Sequence, residues 1–177
     1  MRQILIPLMF LGVFEACKKN TDPKPSLPEG YFGEVVTERN GKKWTGYTAC
    51  WIDIVDQKNI NINLDSFENE YFLRESLTLY TIPPKTGTYK VYRLAPSKTK
   101  LHSSFGVWEG DLPLGEYEIL EADSATNTVT LSTYDTLSKE IKGTFNLSFI
   151  VTDKPYPTYP DTIRLKNGKF SGKLIKK

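Results

Sequence analysis

Ile141-Lys142-Gly143-Thr144-Phe145-Asn146-Leu147-Ser148-Phe149-Ile150-Val151 is the stretch that decides the fold class. Large apolar side chains stand at 141, 145, 147, 149 and 151, with Lys142, Thr144, Asn146 and Ser148 between them. Successive side chains of a strand point to opposite faces, so this period of two turns one face to a core and the other to water. One buried and one solvated face is the habit of antiparallel sheets. Phe145, Leu147 and Phe149 are therefore expected to point into the main core.

The same period recurs on both sides of this stretch. Ile60, Ile62 and Leu64 alternate with Asn59, Asn61 and Asn63; Leu77 and Leu79 with Ser76, Thr78 and Tyr80; Val129 and Leu131 with Thr128, Thr130 and Ser132. Further strands are expected over 88–92, 104–108 and 115–120. Asn40-Gly41 and Asn167-Gly168 each separate two strand-like runs, and Asn-Gly tolerates the positive φ angles that a two-residue hairpin needs. Both are read as hairpin turns. Asp65, with Glu68 three residues on, suggests a short helical turn within 65–73. No long helical period is present. Nine or ten strands within residues 31–177 imply a single all-β domain, an antiparallel β-sandwich or a closed barrel, and the sequence leaves both open.

Arg2 precedes an apolar run from Ile4 to Phe14, which Glu15 ends well short of the roughly 20 residues a membrane-spanning helix needs. A positive start, a short apolar segment and a small residue before the cut make a secretory signal. With Ala16 followed by Cys17, the pattern resembles a bacterial lipoprotein signal. Residues 1–16 are then removed, and Cys17 becomes the acylated first residue. Residues 17–30 carry Pro23, Pro25 and Pro28 among polar neighbours and read as an extended tether. The chain is expected to be exported and held at a bacterial membrane by its N-terminal lipid.

Composition narrows the partners. A formal charge of +2 and no basic run or helix face argue against a nucleic-acid partner, which requires a positive stripe. With Cys17 acylated, Cys50 has no cysteine to pair with and reads as a small buried hydrophobe. His102 is the only histidine and reads as a solvated loop residue, so no histidine metal site is expected. Asp53, Asp56 and Asp65 flank the Asn59–Leu64 run with no regular calcium-loop spacing, and loop solvation explains them. Glu116 and Glu118 share one face of a strand, read as its wet side. Trp44, Trp51 and Trp108 lie in apolar or alternating runs and read as core. No catalytic, cofactor or metal motif stands out, so the chain does not read as an enzyme. Tyr156 and Tyr159, held among prolines, are the expected ligand contacts, because aromatics on a stiff loop grip a glycan or protein with little entropy loss. The sequence thus favours a binding or accessory module, with a structural envelope protein as the alternative.

Four short motifs add a resemblance. Asn40-Gly41-Lys42-Lys43-Trp44, Gly87-Thr88-Tyr89, Ile141-Lys142-Gly143-Thr144-Phe145 and Asn167-Gly168-Lys169-Phe170 occur in that order. Together they resemble a group of small all-β lipoprotein domains of unknown function of the Bacteroidota type. The resemblance implies an outer-membrane-associated β-domain and brings no enzyme activity with it. Secreted proteins of that group carry sugars on Ser or Thr after Asp, which marks Ser124, Thr136 and Thr162 as candidates for O-glycosylation.

Overall fold

A computed structural model describes residues 28–55, 57–69, 72–94, 100–154 and 156–175. The expected signal peptide, Cys17 and most of the tether lie outside these residues. The described residues form ten strands: β1 Glu34–Arg39, β2 Lys42–Ile52, β3 Ile60–Phe67, β4 Leu73–Ile82, β5 Gly87–Lys90, β6 His102–Glu109, β7 Leu112–Ile119, β8 Thr128–Tyr134, β9 Glu140–Asp153 and β10 Thr162–Ile175. One 3-10 turn, Glu121–Asp123, precedes β8.

Eight of these strands close a ring in the order β1, β2, β3, β4, β6, β7, β9, β10, returning to β1, with every neighbour antiparallel. The fold is a closed barrel, which resolves the choice between sandwich and barrel. β7 and β8 dock end to end on one edge of β9, β7 beside Phe149–Asp153 and β8 beside Ile141–Asn146. β5 then adds to β8 and extends the wall beyond the ring.

An eight-stranded barrel has a lumen just wide enough for side chains to fill. Ile62, Leu64, Leu77, Leu79, Phe105, Ile119, Phe149 and Leu165 fill it, all buried. Phe145, Leu147 and Phe149 point inward as expected, while Thr144 and Asn146 face out. Phe105 meets Phe149 at a ring separation of 5.8 Å and Tyr117 at 6.0 Å, edge to face.

The two Asn-Gly pairs diverge. Asn40 (φ 49°) and Gly41 (φ 79°) make the expected hairpin between β1 and β2. Asn167-Gly168 makes no hairpin: residues on both sides of it belong to β10 and pair with the same strand, Leu165 with Leu147 and Gly168 with Phe145. The pairing slips there, so Asn167 (φ 55°) marks a bulge that bends a long strand around the barrel. Glycine at 168 is required by space, since a Cβ would lie 2.4 Å from the Phe145 ring. The helical turn expected within 65–73 is absent among the described residues. Asp65 lies inside β3, paired with Tyr47 and Ser76, because the strand continues to Phe67.

Candidate functional site

One mouth of the barrel, where β1, β3, β6 and β9 end, holds charge inside the ring. Arg39 stands in phase with Val35 and Thr37, and Glu75 with Leu77 and Leu79, so both point inward. Arg39 Nη2 meets Glu75 Oε1 at 2.9 Å, and the Trp44 indole N–H donates to the other carboxylate oxygen. The guanidinium lies 5.9 Å from the centre of the Phe105 ring, which floors the mouth. The two side chains are 24% and 13% exposed, so the pair sits at the boundary of core and water. Burial raises the Glu75 carboxyl above its ordinary value, and Arg39 and Trp44 oppose that rise.

The β9–β10 loop covers this mouth. The Tyr117 hydroxyl, in the lumen, donates to Pro160 O at 2.9 Å, and Lys154 pairs with Asp161 across the base of the loop. Tyr159 folds back and packs against the core, whereas Tyr156 is 45% exposed at the tip. Of the two tyrosines expected to touch a ligand, Tyr156 is the one presented to solvent.

The outer wall carries the open concave surfaces. A groove of about 640 Å³ lies over β1, β2 and β10, lined by Glu34, Lys43, Thr45, Tyr47, Lys169 and Ser171. A second, of about 450 Å³, lies over β9 and β10 and is lined by Thr128, Asn146, Arg164 and Lys166. Cation positions on β10 could have been found in the sequence: Arg164 and Lys166 alternate with the inward Ile163 and Leu165. The mouth pair left the same kind of trace, a charge in the phase of inward apolar residues.

Other residues singled out by sequence are scattered. Cys50 is sealed in the lumen, and burial pushes its thiol up to about 12, which leaves it unreactive at neutral pH. His102 is buried rather than solvated: it opens β6 on the outer wall and stacks on Tyr80 at 4.8 Å, with its Nδ1 2.9 Å from Lys100 O. Trp44 is a core residue, but Trp51 and Trp108 are half-buried on the outer wall, because each falls in the outward phase of its strand. Asp53 caps the β2–β3 turn through Val55 N and Asn61 Nδ2, while Asp65 stands near the far end of β3; Asp56 lies outside the described residues. Glu116 is exposed on β7, and Glu118 pairs with Arg93. Thr136 is exposed in the β8–β9 turn, Ser124 is half-exposed after the 3-10 turn, and Thr162 is half-buried at the start of β10. Compared with known protein families, curated proteins and solved structures, the chain matches none.

Proposed function

We propose that this chain is an exported β-barrel module, anchored to the bacterial outer membrane through acylated Cys17, that recognises a glycan or protein partner with its exterior. The observation that carries this reading is the filled lumen. With Phe105, Tyr117 and Phe149 packed against one another inside, ligand contact falls to the outer wall and the capped mouth. The loop bearing Tyr156 is tied down by Tyr117 and by the Lys154–Asp161 pair, so presenting that ring costs little further ordering. An assembly role has one observation in its favour: among the described strands β5 pairs with β8 alone, which leaves an edge for a neighbouring strand.

Two measurements test the proposal. Full-length wild type and Cys17→Ser, expressed in a Gram-negative host with labelled palmitate, are expected to differ, with label in wild type only. Equal label in both overturns the anchor. A photo-crosslinking residue at Tyr156 of the anchored protein is expected to yield discrete adducts in intact envelopes. The same adducts from a crosslinker at Leu137, a remote residue 93% exposed, would overturn specific contact at the loop.

A further inference from the structure

The outer face of the wall from β5 to β2 is a continuous polar sheet. Strand registers place Thr88 beside Thr130, Thr130 beside Thr144, Thr144 beside Lys169, Lys169 beside Val36 and Val36 beside Thr45. This single row crosses six strands, about 24 Å at the usual strand spacing. The Thr88 and Thr130 hydroxyls already bond each other at 2.8 Å. A flanking row begins Lys90, Thr128, Asn146 and ends Lys166, Glu38, Lys43. Both outer grooves open on this face, one on each side of the β10 bulge.

Charge is segregated around the barrel. Lys43, Lys166 and Lys169 on this face make no salt bridge among the described residues, and Arg164 lies 3.4 Å from Asp123 at its margin. β6 and β7, across the ring, present Glu109, Glu116 and Glu118, and the arginines there, Arg74 and Arg93, are already paired with acids. The wall from β5 to β2 therefore carries more cations than acids, with Glu34 and Glu38 set among its lysines, and an excess of positive charge concentrates anions from solution.

We infer that the basic wall is a binding site for an acidic polysaccharide. Its cations would pair with the carboxylates of the sugar chain, while the rows of threonine and asparagine side chains hydrogen-bond its hydroxyls. The row from Thr88 to Thr45 contains no aromatic ring, and Tyr47 and Phe67 border the face only at its β2 end, short of the succession of rings on which single-stranded nucleic acids stack. Val36, 39% exposed, is its one apolar side chain, whereas a surface that lies on lipid presents an apolar face to the acyl boundary. A flat array of hydroxyls and amines suits a hydroxylated polyanion better than either. The inference rests on the reading of the chain as an exported binding module, and it names that module's ligand class at a site separate from Tyr156.

The test uses the full protein as its host processes it, purified in neutral detergent, with immobilised polygalacturonate as probe and dextran as the neutral control. Retention on polygalacturonate alone is expected. Lys43→Glu with Lys169→Glu should weaken it at least about tenfold, with a shallower salt dependence, as fewer ion pairs form. Lys58→Glu with Lys100→Glu makes the same net charge change off the face and should leave retention nearly intact. Thr130→Val with Thr144→Val keeps every charge and should weaken binding about threefold, the loss of neutral hydrogen bonds. Equal weakening by both charge variants, or no effect of the threonine pair, overturns the assignment. So does binding to phosphatidylglycerol vesicles or single-stranded DNA without binding to polygalacturonate. Should polygalacturonate fail while Tyr156 still crosslinks to discrete partners, this ligand class falls and the binding-module reading stands.

Discussion

Glu75 and Asp65 are both carboxylates withdrawn from water on adjacent strands, and the barrel accommodates them differently. Glu75 faces the lumen and has a counter-ion, Arg39, with an indole donor on its other oxygen. Asp65 faces outward beneath Tyr31 and Phe67, with the Tyr31 hydroxyl on Oδ2 and the Ser76 and Asn63 side chains beside it. Burial raises the carboxyl pKa of both. The same burial and the Asp65 charge raise the Tyr31 phenol, which stays a donor across the whole working range. Burial pushes both carboxyls toward the neutral form; at the mouth a counter-ion opposes it, whereas under the aromatic clasp only neutral hydrogen-bonding side chains do.

The largest effect that bears on this contrast is expected at the floor of the mouth. Phe105→Ala should cost about 3–5 kcal/mol in denaturant unfolding, since it empties the lumen and removes the ring beneath Arg39. A cost below about 1 kcal/mol would mean the lumen collapses around the gap and does not support the pair. Next in size is Glu75→Ala, expected to cost about 2–3 kcal/mol, less than for a fully sealed pair because Arg39 keeps some water. Arg39→Met with Glu75→Leu should cost less than Glu75→Ala alone, because no charge is left unpaired. A double variant less stable than Glu75→Ala breaks the comparison.

Smaller effects belong to the clasp. Tyr31→Phe should cost about 1–2 kcal/mol at neutral pH by stripping the donor from a buried carboxylate. Asp65→Asn should change the pH profile of stability. Because the folded chain holds the Asp65 proton to higher pH than the unfolded chain does, that group's contribution is full below the ordinary value of 3.8 and is lost as pH rises through the raised one. Unfolding midpoints of wild type should therefore fall with rising pH relative to Asp65→Asn, and the two should converge in acid. Parallel profiles would show that Asp65 keeps its ordinary pKa.

Much of the strand plan was legible in local pattern. Alternation at Ile60–Leu64, Leu77–Leu79 and Phe145–Phe149 placed inward residues correctly, because pleating is a property of each strand alone. Asn40-Gly41 was legible for a related reason: its turn needs positive φ at two adjacent residues and nothing else. Asn167-Gly168 shows the limit. Its backbone conformation suits a turn, but the flanking residues both pair with β9, and the pairing made it a bulge. His102 and Trp108 were misplaced for opposite reasons: Tyr80, distant in sequence, stacks on the first and buries it, while the second falls in the outward phase of β6 and lies over Gly106 of its own strand.

By itself the sequence determined most of the residues that face the core, roughly where strands begin and end, and that the fold is all-β. Tertiary structure alone decided that the sheet closes, that Arg39 meets Glu75 in its mouth, and that Thr88, Thr130, Thr144 and Lys169 form one row. The physical reason is range. Side-chain alternation follows from the backbone geometry of adjacent residues, whereas a shared face depends on strand pairing between segments tens of residues apart. The basic wall is the clearest case: Arg164, Lys166 and Lys169 are legible together on β10, but only the register that closes the barrel sets Lys43 of β2 and Lys90 of β5 on the same face.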